Sequence, residues 1–160
     1  MGKCCTFFGH RQSPDSLRPV LKQCLEDLIL NHGVTTFYVG NQGSFDGMAH
    51  TVLRELAEQY ANISYAVVLA YLPPQQKDEL ARHQDYSDSM YPEGIETVPK
   101  RFAIDWRNRW MLKRADYVIT YVAHSWGGAA KFAEKAVKSG KQVINLKPAD
   151  NKTQSCGGHS

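Results

Sequence analysis

Short runs rich in β-branched and aromatic residues alternate with longer amphipathic runs along most of this chain. That alternation constrains the fold more than any other feature, because parallel strands cannot be joined by tight turns and need helical crossovers. The strand-like runs lie at 4–8, 35–39, 64–71, 117–122 and 142–146. Between the first two, Leu17, Val20, Leu21, Cys24, Leu25, Leu28 and Ile29 recur at three-and-four spacing, the period of a helix with one apolar face. His32-Gly33 then stops it. Further helices are expected over about 48–60, 105–114 and 129–139. The fold class is therefore α/β, an open and mostly parallel sheet of about five strands with helices on both faces.

One polar stretch resists this pattern. Residues 75–100 include Tyr86, Tyr91 and Pro92 and show no firm period, so they are expected to form a loop or lid with one short helix. The segment after Lys147 is polar and glycine-rich. The expected organisation is one Rossmann-like domain over 1–147, with 75–100 as an insert and 148–160 as a flexible tail.

The 160 residues carry 19 basic and 16 acidic side chains, a formal net charge of +3. That balance argues against a nucleic-acid groove, while leaving room for a small anion if basic residues converge. No run reaches the 18 apolar residues of a membrane span, and the N-terminus lacks a signal peptide's length and cleavage site. Gly2 with Cys4 and Cys5 offers a weak lipidation pattern, but the same residues read better as a core strand. Cys4, Cys5, Cys24 and Cys156 show no CxxC spacing, which indicates neither a zinc site nor a disulfide framework. A cytoplasmic protein with reduced thiols, no metal and no cofactor is expected.

Ligands of open parallel sheets bind beyond the carboxyl ends of the strands. Three glycine-bearing turns fall there: Gly9-His10-Arg11, the 40–47 turn with Gly40, Gly43, Ser44 and Asp46, and Trp126-Gly127-Gly128. Glycine permits close approach of backbone to phosphate, and the next helix adds unpaired N–H groups. Each residue also has a plain structural role open to it. Arg11 binds phosphate or stays an exposed turn residue. His10 reads first as a hydrogen-bonded turn residue. Asp46 and Ser44 accept from a sugar hydroxyl or cap the following helix. Tyr71 and Trp126 stack on a base or rim the core. Among Arg101, Arg107, Arg109, Lys113 and Arg114, only some can face a ligand, because Arg107 and Lys113 cannot share a narrow helix face with Arg109 and Arg114.

The opening Thr6-Phe7-Phe8-Gly9-His10-Arg11, the block Gly33-Val34-Thr35-Thr36-Phe37-Tyr38-Val39-Gly40, and Arg107-Asn108-Arg109-Trp110-Met111 leading to Ala115-Asp116-Tyr117-Val118-Ile119 and then Gly127-Gly128 together resemble the SLOG superfamily. They resemble in particular a branch of uncharacterised bacterial proteins with a Thr-Gly-His-Arg-like opening. The superfamily includes the lonely-guy phosphoribohydrolases, whose Pro-Gly-Gly-x-Gly-Thr-x-x-Glu signature corresponds here to the segment from Trp126 to Glu134. That resemblance implies catalytic roles for Arg107 and Glu134 in a nucleoside monophosphate N-glycosidic hydrolase. Trp126, Ala130 and Lys131 depart from the signature, Lys131 offering a charge to the ligand in place of threonine. Other SLOG domains sense nucleotide-derived signals of the ADP-ribose type in bacterial or phage defence. The resemblance thus implies first a sensor or sequestering module for such a small molecule, with no nucleic-acid or membrane partner, in a homodimer or higher homo-oligomer. The hydrolase, or a scaffold with a vestigial site, are the other readings.

Overall fold

A computed structural model describes residues 2–71 and 87–147. In chain order the elements are β1 (Lys3–Gly9), α1 (Leu17–Asn31), β2 (Val34–Val39), α2 (Gly43–Gln59), β3 (Ser64–Val68), β4 (Ser89–Met90), a 3-10 turn (Ile95–Thr97), α3 (Lys100–Arg114), β5 (Tyr117–Tyr121), α4 (Gly128–Lys138) and β6 (Gln142–Asn145). All strands pair in parallel, in the order β4-β3-β2-β1-β5-β6. The expected α/β architecture is present. The sixth strand, β4, lies in the stretch read as a loop. The remainder of that stretch, from 75 to 86, and the tail from 148 lie outside the described residues.

The period-two alternation of a strand sorts its side chains between two helical layers. Cys5 and Phe7 of β1 enter a core with α1 and α2, whereas Phe8 enters one with α3 and α4. Ile119 and Val118 of β5 divide in the same way, as do Val67 and Val68 of β3. Phe37, Phe45 and Phe132 are fully buried, each contributing roughly 1.5–3 kcal/mol of transfer free energy. Cys4 and Cys5 are free thiols, and burial pushes the Cys4 thiol up to about 12. Cys24 is also buried. No described helix is long and apolar enough to cross a membrane.

The sheet order fixes where a ligand would enter. From β1 the chain winds outward through β2 and β3 on one side and reaches β5 and β6 on the other. The loops leaving β1 and β5 therefore part company over a crevice, the usual ligand position in open parallel sheets.

Candidate functional site at the β1–β5 crevice

A cavity of about 680 Å³ opens at this switch point. The β1 loop lends it Gly9, His10 and Arg11; α2 lends Asp46; α3 lends Arg107; and the β5 loop and the start of α4 lend Trp126, Gly127 and Gly128. These eight expected site residues are brought together. Six others stand elsewhere.

Gly40 lies behind the cavity, where an added Cβ would meet Asp46 Oδ2 at 2.8 Å and the Arg107 guanidinium at 3.0 Å. Its close approach is thus to side chains of the site and not to a phosphate. Gly43 opens α2 against the Arg11 backbone. Ser44 ties the two loops: its N–H donates to Arg11 O (2.7 Å) and its Oγ accepts from Ser13 N–H (2.7 Å). Tyr71 packs near Ile95 and Ala103, with Lys100 over its ring. Lys131 is held by Asp105 at 2.6 Å. Glu134 is exposed, paired with Lys138 at 2.8 Å, and outside the cavity wall, so the pair Arg107 and Glu134 does not converge.

Arg107 is the largest fully buried side chain, 1% exposed. Its Nη1 donates to Val68 O (2.8 Å) and to Asn41 Oδ1 (3.3 Å), and its Nε donates to Asn108 Oδ1 (2.9 Å). Burial lowers its pKa, opposed by the field of Asp46. Among the described residues it has no direct ion pair. A buried cation without a paired carboxylate is costly, and a bound anion relieves that cost. Asp46 is also buried. Its Oδ2 accepts from Gln42 N–H (2.9 Å), the bond that fastens the start of α2. Burial raises its carboxyl to about 6, while that N–H, Arg107 and Arg11 pull the other way.

The β5 loop carries a feature not foreseen from the sequence. The His10 and His124 rings stack at 3.6 Å, and His124 stacks on Trp126 at 3.8 Å. The bend at residues 124 and 125 folds the two rings together, which the sequence spacing does not show. Ala123 N–H donates to His10 Nε2 (2.8 Å), which fixes that nitrogen as an acceptor. Burial, then the neighbouring His124, keeps the His10 pKa low, so the ring is neutral at pH 7 and the stack stays uncharged at its inner end. Trp126 closes the outer end, 68% exposed. Gly127 follows with φ +95°, a turn that costs glycine little, and delivers the chain into α4. Gln12, Gln42, Asn108 and Tyr121 complete the polar wall, also unforeseen.

No family model and no curated protein sequence matches the chain. Solved structures do. The fold is shared with DNA processing protein A. The protein from Streptococcus pneumoniae aligns with a TM-score of 0.61 at 16% identity, over 89% of this chain and 49% of its own length. The Helicobacter pylori protein, whose structure concerns its single-stranded DNA binding mode, aligns with a TM-score of 0.62 at 15% identity, over 95% of this chain and 68% of its own. The chain thus spans about half the length of the pneumococcal protein. At this identity the likeness shows the Rossmann-like fold alone.

These neighbours correct the functional expectation. A sensor or sequestering module for an ADP-ribose-like signal, a defence role and the exclusion of nucleic acid are overturned by a shared fold whose solved members include a single-stranded DNA binder. The hydrolase and scaffold readings fall with them. The physical reason is that a net charge of +3 averages over the chain, whereas a nucleic acid meets only the side chains on one face.

Proposed function

We propose that this chain binds single-stranded nucleic acid, single-stranded DNA first, across the β1–β5 crevice. The observation that carries the reading is Trp126, an exposed indole at the end of a three-ring stack beside a cavity with a buried arginine that has no ion pair among the described residues. A strand needs those two things from a protein: flat faces for its bases and cations for its phosphates. Trp126 takes a base on its outer face, and His10 and His124 brace it from behind. Arg107 and Arg11, with the N–H groups of Gly127 and Gly128, receive phosphate oxygens. Gly9 leaves room for the buried Phe45 ring beneath the crevice, and Asp46 holds Gln42 and the α2 start in place. This reading extends to one domain over 1–147, to the Thr-Gly-His-Arg-like branch of the superfamily, and to a place in the cytoplasm.

The test is fluorescence anisotropy with labelled oligo(dT). Stacking on an aromatic side chain is worth about 1–3 kcal/mol per base, so Trp126→Ala should weaken binding by about 5- to 150-fold. Trp126→Phe should recover most of the loss. Wild-type protein that leaves the oligonucleotide unbound at low salt would refute the reading.

A further inference from the structure

The charge of this molecule is segregated by layer. Residues 100–141, which hold α3, β5 and α4, carry ten basic and three acidic side chains. The other 118 residues carry nine basic and thirteen acidic. α3 and α4 cover one face of the sheet and α1 and α2 the other; with Glu93 and Glu96 counted in, because the 3-10 turn beside them packs on α3, the α3–α4 side carries a net +5 in a chain whose total is +3.

Eight of these ten basic side chains are displayed outward. Lys100, Arg101, Arg109, Lys113, Arg114, Lys131, Lys135 and Lys138 are all exposed. The three acids neutralise few of them: Asp105 takes Arg109 and Lys131, and Glu134 takes Lys138. Lys113 and Lys135 have no carboxylate partner among the described residues. Aromatic rings lie among the cations, with Arg114 over Trp110 at 3.8 Å and Phe102 52% exposed beside Arg101. The layer is continuous with the crevice. Arg107 and Asn108 of α3 line the cavity, and Gly128 opens α4 on its rim. Both helices run antiparallel to the strands they cover, so their N-termini stand at the crevice and their C-termini at the far edge.

We propose that the outer face of α3 and α4 is a second contact surface, a track for the phosphate backbone of a strand that leaves the crevice. The proposal rests on the crevice reading for its partner but on different residues. The 15 residues of α3 span about 22 Å at 1.5 Å per residue, long enough to meet several consecutive phosphates. The crevice would then read bases by stacking, and the track would set the length and salt dependence of binding.

The experiment compares a four-nucleotide with a twenty-nucleotide oligo(dT) on wild type, Lys113→Glu/Lys135→Glu and Trp126→Ala. The paired reversal should leave the short oligonucleotide unaffected, weaken the long one at least tenfold, and flatten its log–log salt slope by about 0.7 for each phosphate that is no longer neutralised. Lys113→Gln/Lys135→Gln should give a smaller shift of the same kind, and unchanged melting temperatures verify the fold. Equal affinity and slope for the long oligonucleotide in wild type and reversal variant would overturn the track. Weaker binding confined to the reversal variant, with Trp126→Ala silent, would keep the track and remove the crevice reading. Lysine-dependent binding to phosphatidylserine vesicles without binding to the long oligonucleotide would assign the surface to a membrane and overturn the proposal.

Discussion

A carboxylate at the position of Asp46 gives up most of its water, and two arginines do not fully restore it. Burial raises its carboxyl from 3.8 to about 6 despite the Gln42 N–H, Arg107 and Arg11. The folded chain therefore holds a proton between about pH 4 and 6 that the unfolded chain has released. The stability tied to that proton is complete below pH 4 and is lost as the pH rises through 6. Asp46→Asn keeps an acceptor for Gln42 N–H and removes the charge. Relative to wild type, its unfolding free energy should thus rise between pH 4 and pH 8, by up to about 3 kcal/mol. Urea unfolding at the two pH values measures this, and a relative stability that falls instead would mean that the arginines, not burial, govern the site. Gly40 belongs to the same cluster. Its position was legible as a point of close approach, but the partner was not, because Arg107 arrives from 67 positions further along the chain.

Among the elements, β4 owes its place to side chains on others. His50 of α2 meets Asp88 Oδ2 at 2.6 Å, and Tyr65 OH donates to the same oxygen at 2.8 Å. With residue 88 so held, Val67 N–H reaches Asp88 O and Leu69 N–H reaches Met90 O. Such a charge-assisted pin is worth about 1.5–3 kcal/mol before exposure is counted, and less here because both partners are partly solvated. His50→Ala should therefore speed hydrogen exchange at Val67 and Leu69 several-fold and leave β1 and β5 unchanged. Exchange that accelerates evenly across the sheet would place the effect in global stability instead. A two-residue strand made this way leaves no period in the sequence, which is why the alternation showed five strands and not six. Helix starts were hidden for related reasons. Gly43 and Gly47 depress the helical signal at the head of α2, although Phe45, Met48 and Ala49 are buried there. Lys100, Arg101 and Phe102 all face outward, so the first turn of α3 shows no apolar face. Strands at 4–8, 35–39 and 117–122 were legible because both faces of a central parallel strand are buried.

For the molecule as a whole, the decisive property is one that composition conceals. Nineteen basic against sixteen acidic side chains reads as near neutrality, yet the α3–α4 side carries +5 even with Glu93 and Glu96 counted in. A polyanion turns such a basic side inward before contact. The crevice lies at the edge of that side, where the helices begin. Field and site thus divide the binding reaction in time. The long-range field acts on encounter, and stacking on Trp126 acts once the strand is seated. Stopped-flow measurements with a twenty-nucleotide oligo(dT) should show an association rate that drops at least tenfold between 50 and 200 mM salt, with a dissociation rate that changes much less. Trp126→Ala should do the reverse, raising the dissociation rate and leaving association near wild type. If salt acted chiefly on dissociation, the charges would be acting at close range only, and the separation of the two layers would have no part in capture.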